Sequence, residues 1–356
     1  MMIYRHVRTA GVLVTVLTVL VGLIVTLVLG LDVSSAKAAA RGTSSSERTA
    51  STGGTLSLVA YSTPKPAYTA LIKAFQSTSA GHDVTFTQAY GPSGTEATAV
   101  IEGLHATVVN FSLEPDMEKL VKAGLVSATW DKGPTEGIVT DSVVAFIVRK
   151  GNPKHITSWA NLLKPGVGII TPNPFSSGSA RWNLLAAYGA QLALGKSKTQ
   201  AAGYLQSLLK HTIAQPTGAS TALETFLSGE GTVVLDYEDD ALYAQRKGEA
   251  VTVVVPAQNI LIQNPIAVTT KASDPTAAKA FVSYLESPAG QTVWGEQGYR
   301  PVLASVAKKF HFPQPSSLFT ITTLGGWTKV VKTFFTPTSG IVTKIEEGLG
   351  VSTAKG

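Results

Sequence analysis

Cysteine is absent from all 356 residues. That excludes disulfide cross-links, thiol catalysis and attachment of a lipid through a cysteine. Histidine is sparse: His6, His82, His105, His155, His211 and His311 are the whole set. None pairs with another at the spacing of metal ligands, so no metal site is expected. No G-x-S-x-G elbow is present to expose a serine nucleophile, which argues against a secreted hydrolase and against any enzyme. Charge is thin as well, at 15% of residues with a net charge of +6. The Lys and Arg residues are scattered without a long run, so neither nucleic acid nor a cofactor is expected as a partner.

What remains is 44% hydrophobic and carries 33 Gly and 18 Pro. This is the composition of a packed globular body with many turns, long enough for two lobes. At the N-terminus, Arg5 and Arg8 precede the uncharged stretch Gly11 to Leu29, and Ala36-Lys37-Ala38 follows. Residues 1–40 therefore read as a signal peptide or an N-terminal anchor, with the body exported; the apolar run is close to the ~20 residues that cross a bilayer. Residues 41–54 are rich in Ser, Thr and Gly and read as a linker.

From Thr55 onward, short β-branched runs (TLSLVAY, DVTFTQA, TVVNFSL, VGIIT, TVVLDY, VTVVV) alternate with helical segments. That pattern predicts an α/β fold with parallel-rich sheets and crossover helices. Two extended segments, 143–149 and 260–269, are suited to cross between lobes. The expected division is 55–141 for the first part of lobe 1, 142–261 for lobe 2, and 262–356 for the return to lobe 1 plus a helical tail.

Three places share one design, in which a strand ends, a small polar turn follows and a helix begins. They are Gly91-Pro92-Ser93-Gly94-Thr95, Ser176-Ser177-Gly178-Ser179-Ala180 and Thr217-Gly218-Ala219-Ser220. The first amides of a helix lack internal partners and lie at the positive end of its dipole, so such turns suit an anion. Ordinary Ser/Thr capping explains any single turn equally well. Three of them over two lobes favour an anion site.

The stretch from Arg149 to Asn183, with the run NPFSSGSARWN, closely resembles the periplasmic sulfate- and thiosulfate-binding proteins. So do AYGPSGTEATAVIEG, GTVVLDYEDDA and SPAGQTVWGEQGYRP, and the resemblance extends from about Leu56 to Phe334. It implies a type II periplasmic binding fold with a two-segment hinge and a desolvated oxyanion between the lobes. It implies that the amides of Ser62, Ser93, Gly178, Ser179 and Ala219 hold the anion together with the Ser177 hydroxyl. It further implies an ABC permease in the membrane as partner to a monomeric, non-enzymatic capture protein for sulfate or thiosulfate.

Beside Ser62-Thr63, which replaces an acidic residue and a proline, the chain departs from the family at two positions that bear on the donors. Ser179 stands where the family has a second glycine, and Tyr237 stands where it has an indole donor. Tyr237 is the expected side-chain donor from lobe 2. With these departures, molybdate and phosphate remain alternative ligands.

Overall fold

The apolar alternation of TLSLVAY makes strand β1 (Thr55–Tyr61) a central strand, because both of its faces are covered. Leu56, Leu58 and Ala60 point to a core shared with Tyr68, Leu71 and Phe75 of the helix Lys65–Gln76. Val59 points the other way, to Ala97, Val100 and Val109. The computed structural model describes residues 53–354. The predicted signal or anchor segment, and the linker apart from Gly53 and Gly54, lie outside the described residues.

Lobe 1 contains β1, β2 (Thr85–Gly91), β3 (Val108–Asn110) and β4 (Ile138–Ser142). Lobe 2 contains β5 (Val144–Arg149), β6 (Ile169–Ile170), β7 (Thr212–Ala214), β8 (Val233–Tyr237) and β9 (Val251–Val254). Then come β10 (Gln258–Ile260), β11 (Ile262–Val268) and, in the tail, β12 (Ser317–Phe319). The first sheet has the order β2-β1-β3-β11-β4 and the second the order β7-β6-β8-β5-β9.

Both sheets are parallel-rich as expected, four of the five strands in each running the same way with one reversed strand among them. β11 runs antiparallel to β3 and β4, and β5 runs antiparallel to β8 and β9. The reversed strands are the two that follow the crossings: β4 passes into β5 through Val143 alone, and β10 into β11 through Leu261 alone.

Where the crossings meet, the buried Asn259 side chain replaces a rung of ladder. Its Oδ1 accepts from the Val144 amide at 3.1 Å, and its Nδ2 donates to the Val144 carbonyl at 2.7 Å.

Helix Gly178–Ala193 is the axis of lobe 2 and is buried along most of its length. The tail covers it: Trp327 meets Trp182 edge-on at 4.8 Å, and Phe334 meets Tyr188 at 4.8 Å. Phe319 of β12 presses on Gly189, where an added Cβ would come within 2.2 Å of the ring. From about Ser317 the tail therefore belongs to the core of lobe 2, although the strand preceding it returned to lobe 1.

Candidate anion site

The three turns singled out above each start a helix without a side-chain cap. Pro92, Ser177 and Gly218 are the N-caps of helices Ser93–Ile101, Gly178–Ala193 and Ala219–Leu227. Elsewhere Ser197, Asp274 and Ser287 make ordinary capping bonds. At the three turns, then, no side chain consumes the amides that a helix start leaves over. Among the described residues, the amides of Ser62, Ser93, Gly178, Ser179 and Ala219 have no protein acceptor.

Six of the seven expected site residues border one small cleft between the lobes: Ser62, Ser93, Ser177, Gly178, Ser179 and Ala219. The cleft has a cavity volume of only about 10 Å³, and no charged side chain borders it. It is the size and chemistry of a site for a single small ion.

The hydroxyls divide the work. Ser93 Oγ donates to Asp116 at 2.7 Å and accepts from the Ser112 amide at 3.0 Å, which leaves its own amide for a ligand. The Ser177 and Ser179 hydroxyls are buried and bonded to each other at 2.8 Å. Ser179, present in place of a glycine, can thus orient the Ser177 hydroxyl by sharing a proton with it.

Tyr237 is placed differently. It does not border the cleft; its phenol lies 2.6 Å from the Ser112 hydroxyl, and it is Ser112 that faces the opening. The ring continues from the end of β8 into the inter-lobe core, 6.3 Å from the ring of Tyr61. Sequence reasoning missed Ser112 and Tyr61, both of which border the cleft. Ser112 lies just beyond the carboxyl end of β3, and that position was its one available signal.

The lobes are clasped over the site. Gly94 of lobe 1 donates its amide to the Ser176 carbonyl at 3.1 Å, and Trp182 donates its indole N–H to the Ser112 carbonyl at 2.8 Å. Thr63 donates to Asp240 at 2.8 Å and Ser142 to Asp239 at 2.6 Å. Behind the turn, Arg181 donates from Nε to the Pro174 carbonyl at 2.8 Å and does not reach the cleft.

Helix Glu238–Arg246 opens on an acidic run, and all four of Asp236, Glu238, Asp239 and Asp240 are buried. The chain enters the helix at Glu238, so strand alternation ends there. Burial pushes Asp236 up to about 7 against the bond from the Tyr237 amide. Burial likewise raises Asp141 to about 7, with Arg300 opposing, and it raises Asp239 and Asp240.

A carboxyl held above its unfolded value, near 4, favours the protonated form in the fold. The stability it contributes is complete below that unfolded value and is lost as pH rises through 7. The melting temperature of the anion-free protein should therefore fall between pH 5 and pH 8. A thermal melt series across that interval checks this; a rising curve would remove buried carboxyls as the controlling groups.

Comparison with known proteins follows the same line. The family described as "Bacterial extracellular solute-binding protein" matches residues 56–300. The sulfate-binding protein of Synechococcus elongatus is 38% identical over 291 residues, covering 79% of this chain and 83% of the relative. The thiosulfate-binding protein of Escherichia coli is 34% identical over 268 residues, covering 72% and 79%. Among solved structures, the sulfate-binding protein SubI from Mycobacterium tuberculosis superimposes with a TM-score of 0.77 at 41% identity, covering 78% of this chain and 98% of that one.

Proposed function

The chain belongs to the bacterial extracellular solute-binding proteins, and from that premise we propose that it captures sulfate or thiosulfate for an ABC importer. The observation that carries this reading is the set of unpaired amides, drawn from both lobes, around a cleft without charged walls. Amides donate and do not accept, so they complement an anion that carries no proton at neutral pH. Hydrogen phosphate would need an acceptor, and no carboxylate borders the cleft. Residues 1–40 would export the body or anchor it, 41–54 would tether it outside the cytoplasm, and a membrane permease would receive the ion from a monomeric donor. The protein performs no chemistry on its ligand.

The test is a thermal melt of the full chain with sulfate, thiosulfate, molybdate and phosphate. Sulfate at about a hundred times its Kd should stabilise the fold by about 2.7 kcal/mol through mass action. Ser177→Ala should cost about 1.5–3 kcal/mol of binding, the value of a bond to a charged partner. Ser176→Ala should cost far less, because the Ser176 hydroxyl is directed to the Thr217 carbonyl at 2.8 Å. If none of the four anions shifts the melt, the reading is wrong. Equal losses for the two serine variants would place the donor elsewhere.

A further inference from the structure

A larger cavity lies on the other side of the turn that carries Ser177. Its cavity volume is about 520 Å³, against about 10 Å³ for the anion cleft. Three separate parts of the chain wall it: the lobe 1 helix Glu114–Lys122, Phe175 and Arg181 of lobe 2, and the tail from Trp327 to Phe335. That size suits an organic molecule rather than an inorganic ion.

The chemistry of the wall is specific. Trp327, Phe335 and Phe175 are all buried and supply an aromatic floor. The Arg181 guanidinium sits over the Phe335 ring, with Cζ 4.8 Å from its centroid. Its Nε is fixed on the Pro174 carbonyl, while its two terminal nitrogens have no protein acceptor among the described residues. A guanidinium left with a free bidentate edge beside an aromatic surface matches a carboxylate or sulfonate.

The neighbouring acids do not cancel that charge. Burial lowers the Arg181 guanidinium and Asp116 opposes that, but the two Asp116 oxygens already accept from Ser93 and from Lys119 at 2.7 Å each. Glu118 accepts from the Trp130 indole at 3.1 Å. Glu114 is pushed toward its neutral form by burial and by repulsion from Glu118 and Asp131. Lys122 adds positive charge at the rim.

We propose that this cavity is a second ligand site, taking an organic monoanion whose carboxylate or sulfonate pairs with Arg181 and whose apolar body lies against Trp327 and Phe335. The site shares no lining residue with the anion cleft and does not rest on the reading of that cleft. Because its walls belong to both lobes and to the tail, an occupant holds the lobes together from the side opposite the inorganic ion.

Naphthalene-2-sulfonate is the probe, titrated calorimetrically into the full chain with sulfate in excess to fill the cleft. One saturable site per chain is expected. Thr328→Trp, which fills the cavity from its exposed rim, should weaken the probe at least tenfold while keeping the sulfate-induced melting shift. Arg181→Gln should weaken it by a similar factor; if that variant fails to fold, Thr328→Trp decides alone. Absence of saturable binding, unchanged binding by Thr328→Trp, or displacement of the probe by sulfate would each overturn the proposal. Failure of the sulfate reading alone would show as a missing melting shift with the probe titration intact.

Discussion

Gly178→Ala should weaken anion binding by about 1–3 kcal/mol, roughly 5- to 150-fold, and leave the melting temperature of the anion-free protein nearly unchanged. The reason lies across the cleft. A Cβ at Gly178 would stand 2.7 Å from both Cβ and Oγ of Ser112 and 2.8 Å from Cδ2 of Leu113, all on lobe 1. Gly178 itself starts the lobe 2 helix, so the clash exists only when the lobes meet. Separated lobes carry no such strain, which is why the cost should fall on binding rather than on folding. Calorimetric titration with sulfate, beside a melt without it, separates the two. Equal losses in both would mean that the lobes stay in contact without ligand, and full affinity would mean that Ser112 moves aside freely. Gly178→Val should be worse than Gly178→Ala, since the added methyls meet the same wall.

Arg300→Met should cost about 3–5 kcal/mol of folding stability, the largest effect expected of a single substitution away from the cleft. Arg300 grips Glu238 with both arms, Nε to Oε2 at 2.6 Å and Nη2 to Oε1 at 3.0 Å, and also donates to the Pro313 carbonyl. Glu238 is almost completely buried. Burial raises its carboxyl and Arg300 opposes the rise, so removing the arginine leaves an uncompensated charge or forces a proton onto it. Urea unfolding at neutral pH measures the loss. Adding Glu238→Gln to Arg300→Met should recover part of it, because the double variant no longer leaves Glu238 as a buried carboxylate without its partner. If the single variant loses less than about 1 kcal/mol, the pair is as dispensable as an exposed one.

These two sites also mark how far the sequence could be read. The strands were legible because Val, Ile and Thr gather in short runs whose alternation reports a covered face, as in TLSLVAY. The three helix starts were legible because Gly and Ser concentrate at strand ends, where amides must stay open. Six residues that border the cleft followed from them and from the family resemblance. The rest depends on contacts that no local pattern carries. Glu238 meets Arg300 across 62 positions of sequence, and Thr63 meets Asp240 across 177. An acidic helix start looks the same on paper whether its partners are water or a buried guanidinium. Tyr237 fits the same account: its place in the chain was clear, but the side chain that intervenes, Ser112, comes from the other lobe. The direction of the two reversed strands, β5 and β11, carries no local signal, and β11 reaches its slot only after the whole of lobe 2 has been traversed.

That insertion bears on the order in which the molecule can assemble. The first sheet seats β11 between β3 and β4, so it stays open until residue 268 has emerged. The second sheet draws all five of its strands from residues 144–254. As the chain leaves the ribosome or a translocation pore, lobe 2 is the earlier unit able to close its own sheet. Lobe 1, with β1 to β4 already out, must wait with an unfilled slot. The delay is set by the sequence distance between β4 and β11, since distant partners meet only after the loop-closure entropy between them has been met. Folding from denaturant should therefore show lobe 2 amides protected from hydrogen exchange before those of β3 and β4, and lengthening the lobe 2 loops should slow only the later phase.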